Sequence, residues 1–186
     1  MKTEQHWSKP VGLLPNSRFP LLIHRGALPG GGEDQLIALF KNNGWLNNWR
    51  YPGVYTYPHF HSTTHECLGC ARGWMDVELF GDGGIKARVE AGDVIVLPAG
   101  VSHAMVDHSD DIMMVGGYPD GRDWDNMPVA SLDEAGRRAA VKRIMMLPIP
   151  ARDPATGQPM RDWSEAPSSV DAGWNDFRDS LDDASQ

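Results

Sequence analysis

Two histidines placed two residues apart, His59 and His61, constrain this chain more than any other feature. Side chains alternate between the two faces of a β-strand, so both imidazoles leave a strand on the same side, close enough to share one metal ion. A short polar turn follows, and the run from Cys67 to Ala71 has the composition of a returning strand. Such a return brings the carboxylate of Glu66 beside the two imidazoles. The stretch therefore predicts three converging metal ligands.

A second stretch supplies a fourth candidate ligand. The apolar run that follows Gly92 ends in a turn from Pro98 to Gly100, and His103 opens the next strand. Together the two stretches resemble the paired motifs of the cupin superfamily, Gly-x5-His-x-His-x4-Glu-x6-Gly and Gly-x5-Pro-x-Gly-x2-His-x3-Asn. Every fixed position matches except Asp107, which stands where the family has Asn and where a metal ligand is not expected. The resemblance implies one divalent metal inside a small antiparallel barrel, bound by His59, His61, Glu66 and His103.

Most of the chain is also similar to a bacterial group of stand-alone cupins of uncharacterised function. The residues that support this closer resemblance lie at Leu39 to Trp45, His61 to Glu66, Pro98 to His103 and Tyr118 to Asp125. It sharpens the expected fold and leaves the reaction open.

Short runs with strand character alternate with turn residues over most of the chain. The run Arg18 to Gly26, the hairpin from Trp74 to Glu90 and the two motifs belong to a set of about nine or ten strands, which suits a double-sheet jelly roll. The sequence thus predicts an all-β fold, and the resemblance implies a single double-stranded β-helix barrel with two or three peripheral helices. Helical signals lie at Glu33 to Asn42 and after a capping box, Ser131 to Glu134, whose helix is expected to run to about Ile144.

The chain divides into three predicted parts. Residues 1–17 are polar and interrupted by proline, which indicates an arm rather than a strand or helix. Residues 18–163 form the single domain, with a C-terminal helix and a segment that wraps the barrel. Residues 164–186 are acidic and are expected to form a mobile tail that Trp174 and Phe177 can dock loosely.

Composition excludes some classes of partner. The net charge of -8 comes without a basic patch, which argues against nucleic acid. No apolar run approaches the ~20 residues of a membrane span, so we expect a cytoplasmic protein without an anchor or signal peptide. Sheet edges need cover, and the apolar, proline-containing segment from Val11 to Pro20 predicts a homodimer in which this segment supplies it.

Cys67 and Cys70 have the spacing of a zinc or redox motif. In a strand, however, an odd separation sends the two thiols to opposite faces, so they can neither chelate together nor form a bridge. If Glu66 faces the barrel interior, parity places Leu68 and Cys70 inside and Cys67 outside. We therefore expect two buried free thiols.

Other polar and aromatic residues near the motifs have weaker signals. Tyr55 and Tyr57 share parity with the two motif histidines, so in a continuous strand they are candidate pocket walls, although such aromatic residues are often core. His65 is expected to point away from the site or to orient a neighbour. His24, far from the motifs, is expected to be structural.

The predicted donor set of three imidazoles and one carboxylate suits Fe, Mn, Ni, Co or Zn in the divalent state. No side chain beside the motifs is an evident general base, which favours chemistry done by the metal. The leading prediction is therefore a metal-dependent enzyme acting on a small polar molecule, with a dioxygenase-type oxidation preferred. The alternatives are a redox-neutral isomerase or decarboxylase of a sugar or keto acid, and a non-catalytic binder or sensor of a small molecule.

Overall fold

The computed structural model describes residues 1–165 together with Trp174, Phe177 and Asp179. In this part of the chain eleven strands dominate: β1 (Lys2–His6), β2 (Leu21–Arg25), β3 (Trp45–Tyr51), β4 (His59–Phe60), β5 (Glu66–Arg72), β6 (Trp74–Leu79), β7 (Ile85–Glu90), β8 (Val94–Leu97), β9 (His103–His108), β10 (Met113–Pro119) and β11 (Met127–Pro128). The helices are α1 (Glu33–Asn42), α2 (Glu134–Met145) and α3 (Arg161–Ser164), and a short 3-10 helix spans Val129–Ser131.

The strands form two antiparallel sheets. One has six strands in the order β1-β2-β8-β5-β10-β3, and the other has five in the order β11-β4-β9-β6-β7. Every strand pair is antiparallel. The prediction of an all-β, double-sheet barrel with peripheral helices is confirmed.

Alternation along the strands fills the space between the two sheets. In the β6–β7 hairpin, Met75 lies opposite Val89, and Val77 lies opposite Ala87. All four side chains are buried in the interior cluster, together with Leu68 of the other sheet. Burying a side chain the size of valine or methionine stabilises a fold by about 1.5–3 kcal/mol, so the packing of these side chains against the facing sheet holds the two sheets together.

A second apolar layer lies between the six-stranded sheet and α1, which begins and ends at the predicted residues. The helix buries Leu36 and Phe40 over Gly69 of β5, where an added Cβ would lie 2.8 Å from the Leu36 side chain. Cys67 belongs to this outer layer, whereas Cys70 belongs to the interior cluster. Both thiols are buried and free, so the parity argument is confirmed.

The prediction of an N-terminal arm without regular structure is wrong for residues 2–6. These residues form β1, which pairs with β2 in a register that places Thr3 opposite His24. The strand lies at the sheet edge with most of its side chains exposed, so it lacks the apolar alternation that marks a strand in sequence. The division of the chain into arm, domain and tail stays a prediction.

Two other expectations need correction or restriction. Helix α2 is capped by Asp133, whose Oδ1 accepts a hydrogen bond from Gly136 N at 2.7 Å, and not by Ser131, which ends the 3-10 helix. The expected mobile tail lies outside the described residues except at its start and at three positions, of which Trp174 is buried against α2.

The segment predicted to serve a partner subunit packs on its own chain. Leu14 and Phe19 are buried, although Val11 stays exposed. In the described part of the chain, no helix is long and apolar enough to cross a membrane.

His24 has the structural role expected of it. The buried ring meets Thr3 Oγ1 at 2.9 Å through Nδ1 and Asp153 Oδ2 at 2.8 Å through Nε2. Asp153 also accepts main-chain hydrogen bonds from Ala155 and Thr156. This cluster fastens β1 and the segment after α2 to the barrel.

We expect Asp153→Asn to lower the free energy of unfolding by about 1–3 kcal/mol at pH 7. Burial works to raise the pKa of Asp153, but the hydrogen bond with His24 holds it below its ordinary value of 3.8. A carboxyl with a depressed pKa in the folded state stabilises the fold above its unfolded pKa and loses that effect as pH falls through the folded pKa. The difference between variant and wild type should therefore shrink between pH 7 and pH ~3 in urea unfolding.

The exposed Asp110, in the turn before β10, offers a matched control. Asp110→Asn should change stability by less than about 0.5 kcal/mol at either pH. A difference for Asp153→Asn that stays constant across this pH range would contradict the assigned role.

Candidate metal centre

The structure brings the three predicted histidine ligands together and places Glu66 beside two of them. His59 of β4 and His103 of β9 are directly paired across the sheet, and Glu66 opens β5 in the facing sheet. One nitrogen from each of His59, His61 and His103 lies within 4.8 Å of the others. Glu66 Oε2 is 3.3 Å from His61 Nε2 and 3.4 Å from His103 Nε2. All four side chains are buried.

Main-chain carbonyl groups orient the three imidazoles. His59 Nδ1 donates to the carbonyl of Tyr57 at 3.0 Å, and His103 Nδ1 donates to that of Val101 at 3.2 Å. His61 Nδ1 donates to the carbonyl of Asp125. A carbonyl oxygen only accepts hydrogen bonds, so each Nδ1 must carry a proton. In the neutral ring, each Nε2 is then left with a lone pair for a metal.

The surroundings of Glu66 fit a cation. Its Oε1 accepts a hydrogen bond from the Tyr118 hydroxyl at 3.0 Å, whereas the buried Oε2 has no hydrogen-bond partner. An unpaired buried carboxylate oxygen is costly. Either a proton on His61 or a metal ion can occupy the gap between Oε2 and the imidazoles. Borderline nitrogen with hard oxygen is a donor set for a divalent transition metal.

The pKa values of these side chains depend on their burial and on the short distances between them. Burial lowers the pKa of His59 to about 3, which keeps its imidazole neutral. Burial also acts to lower the pKa of His61, but the adjacent Glu66 carboxylate outweighs it and the pKa is raised. Burial acts to raise the pKa of Glu66, yet His61 and His103 hold it below its usual range. Glu66 is therefore an ionised ligand candidate.

The four side chains line a cavity of about 510 Å³. Half of its other lining residues are aromatic, and these come from β3, the loop before β4, the end of β10 and the loop after it: Trp49, Tyr51, Tyr55, Tyr118 and Trp124. A space of this size accepts a small organic molecule beside the donor atoms.

Comparison with known proteins agrees with this architecture. The family model described as Cupin matches residues 34–120. The uncharacterised protein YjlB of Bacillus subtilis is 35% identical over 158 residues, which cover 84% of this chain and 92% of that protein. The chain belongs to the cupin family.

Solved structures are similar to this cupin at lower identity. A TDP-quinovose 3,4-ketoisomerase from Campylobacter jejuni is 16% identical, with a TM-score of 0.36 over 41% of this chain and 64% of the enzyme. An oxalate decarboxylase from Bacillus subtilis is 18% identical, with a TM-score of 0.38 over 69% of this chain and 34% of the enzyme. The cupin spans less than two thirds of the length of either enzyme.

The predicted pocket tyrosines of this cupin lie near the site, but not in a continuous strand. Regular strand structure begins only at His59, because Gly53 has a φ of 104° and Pro58 cannot donate a strand hydrogen bond. Tyr55 lines the cavity and its ring centroid lies 5.0 Å from that of His59. Tyr57 does not line the cavity and packs behind it, on Tyr55 and His59.

Asp125 is a site residue that sequence reasoning missed. Besides holding His61 with its carbonyl, it accepts hydrogen bonds through Oδ1 from Ser62 N at 2.6 Å and Thr63 N at 3.1 Å. Burial acts to raise its pKa, but the hydrogen bonds from Ser62 and Thr63 hold the pKa below its usual range. Arg143 of α2 adds a bond to the Ser62 hydroxyl at 2.7 Å. The acidic, aromatic composition of this loop was its only sequence signal.

Two further positions lie outside the donor set. His65 points away from the cavity, where its Nδ1 accepts a hydrogen bond from Ala99 N at 2.9 Å and its ring packs on Trp163. Burial lowers its pKa to about 3. Asp107, at the usual Asn position of cupins, is exposed and accepts a local hydrogen bond from His108 N.

We expect Asp125→Ala to weaken zinc binding by about tenfold or more, as is typical when a residue that orients a metal ligand is lost. The carbonyl of residue 125 remains, as does the hydrogen bond from its main-chain nitrogen to Thr63, but the bonds from the carboxylate to the turn after His61 are lost. Competition titration with a chromophoric chelator measures the effect. Asp123→Ala is the control, since the contact of Asp123 with Thr63 is made by its main-chain carbonyl. Equal zinc affinity in both variants would remove Asp125 from the site.

Proposed function

We propose that this cupin is a mononuclear metal-dependent enzyme that oxidises a small molecule with dioxygen. The supporting observation is that four donor atoms, three of them oriented by main-chain carbonyl groups, converge at one side of a cavity of about 510 Å³. In this proposal the ion is bound by His59, His61, Glu66 and His103. Divalent Fe, Mn, Co, Ni or Zn would supply a Lewis acid there, and Fe or Mn also a redox centre.

Tyr118 and Trp49 hold the carboxylate in place. Trp49 Nε1 donates to the Tyr118 hydroxyl oxygen at 2.8 Å, and that hydroxyl donates its own proton to Glu66 Oε1. Burial raises the pKa of Tyr118 well above its usual value, so the hydroxyl keeps its proton. Tyr118 thus orients Glu66 and does not serve as a general base.

The rest of the cavity wall favours oxidation over proton-transfer chemistry. Apart from the four donors, its titratable side chains in the described part of the chain are Arg50 and three tyrosines. Arg50 is paired with Glu33 at 3.4 Å and with Asp34. An isomerase or decarboxylase of a sugar or keto acid would use a positioned acid or base. Among the described wall residues only Tyr51 and Tyr55 are left for that role, since the wall contributes no further carboxylate, lysine or imidazole.

We expect His61→Ala and Glu66→Ala to lower the metal content to about a tenth of wild type or less, since each removes one donor from the same ion. Metal analysis of untagged protein measures this, with circular dichroism to verify that the barrel folds. His108→Ala, an exposed histidine outside the cavity, should keep its metal. Full occupancy in both donor variants would refute the metal site.

Oxygen uptake distinguishes the proposed dioxygen-dependent enzyme from a redox-neutral enzyme and from a binder. The iron-loaded protein is mixed in an oxygen electrode with small diols, oxo acids and thiols, and we expect consumption with one of these classes that His61→Ala abolishes. Metal bound without uptake, but with a rearranged or decarboxylated product by NMR, would favour the redox-neutral enzyme. Metal bound with no product at all would favour a binder.

We further propose a cytoplasmic homodimer. Two free buried thiols suit a reducing compartment. The outer edges of β1 and β7 pair with no other strand in the described part of the chain, and such edges are suited to contact with a second copy. Light scattering at micromolar concentration should give twice the chain mass of 20.5 kDa. A monomer mass would rule the dimer out.

A further inference from the structure

We propose that the ligand of the cavity is a small aromatic molecule with an oxygen donor, and that its ring packs against Tyr55 and Trp124. This inference rests on the proposed function, because the oxygen atom would bind the metal while the ring contacts the wall.

The first support is the exposure of the aromatic wall. Tyr55 is 41% exposed and Trp124 is 40% exposed, although both line the cavity. Large rings stabilise a fold when they are buried, and these two leave much of that stabilisation unused. Aromatic side chains that line a cavity and stay accessible are typical of a ligand site.

The second support is where the rings lie. The ring centroid of Tyr55 is 5.0 Å from that of His59, and the centroid of Trp124 is 5.6 Å from that of His61. Trp124 also stacks on Tyr118 at an interplanar angle of 21°. The exposed rings therefore adjoin the donor side chains, and a ligand bound at the metal position would lie beside them. Aromatic ligands gain from such contacts through edge and offset-stacked geometry.

The third support is charge. Three neutral imidazoles, one carboxylate and a divalent ion together amount to a net charge of about +1. Arg50 is the only lysine or arginine in the described cavity wall, and it is already paired with Glu33 and Asp34. The wall thus lacks a cation for a phosphate or a second carboxylate. It suits a ligand with at most one negative charge.

The test compares two probes that differ only in the ring. Mandelate and its saturated analogue, hexahydromandelate, have the same charge and the same pair of oxygen donors, but one has a phenyl and the other a cyclohexyl ring. Each is titrated calorimetrically into the 186-residue chain loaded with zinc. Zinc has no redox chemistry, so the probe can bind without being oxidised. We expect mandelate to bind about fivefold more tightly, as is typical of aromatic pair energies.

Variants assign that preference to the wall. Trp124→Leu and Tyr55→Leu should bring the affinity ratio close to one while zinc content stays at the wild-type level. Trp7→Leu, a partly exposed tryptophan outside the cavity wall, should keep the ratio. Equal affinity of the two probes, or no binding of either, in zinc-loaded wild type would overturn the aromatic ligand and leave the metal site standing. Failure of the wild type to bind zinc would overturn the proposed function and this inference together.

Discussion

Three main-chain carbonyl groups, those of Tyr57, Val101 and Asp125, determine which nitrogen each site imidazole turns inward. Each accepts the Nδ1 proton of one histidine, so each Nε2 is the free donor. The carbonyls belong to three separate segments, and the two sheets and the loop after β10 hold those segments in register. The barrel thus holds three carbonyl oxygen atoms in place, and these orient the imidazoles so that each Nε2 faces the site.

Glu66 brings a negative charge into the space that the three imidazole Nε2 atoms face. A buried carboxylate is stable only if its oxygens meet donors or cations. Tyr118 provides one hydrogen bond, supported by Trp49, and the remaining oxygen faces His61 and His103. A buried carboxylate oxygen without a hydrogen-bond partner, next to imidazole nitrogens with free lone pairs, favours a cation at this position. Metal binding and barrel stability are therefore expected to be linked.

The sequence predicted the parts that depend on local periodicity. Strand geometry predicted that His59 and His61 share a face and that Cys67 and Cys70 lie on opposite faces. The acidic residues at the start of α1 predicted where that helix begins. Contacts between distant segments left no such periodic signal. Asp125 lies 64 residues from His61, and only the folded loop shows that its carbonyl reaches the ring.

Local signals also failed at one edge strand and in one loop. Strand β1 was missed because an exposed edge strand needs no apolar alternation. Parity predicted Tyr57 in the cavity wall on the assumption of a continuous strand from Gly53. The backbone instead turns at Gly53, which has a positive φ. Tertiary pairing decided the conformation of β1, whereas the glycine and proline of the segment before His59 decided its conformation.

The most direct test of this account is anomalous X-ray diffraction from crystals of the zinc-loaded protein, measured on both sides of the zinc absorption edge. The account predicts one peak at about 2.0–2.2 Å from the Nε2 atoms of three histidines and Oε2 of one glutamate: His59, His61, His103 and Glu66. A peak bonded through Nδ1 atoms, a peak elsewhere in the molecule, or no peak at all would contradict it.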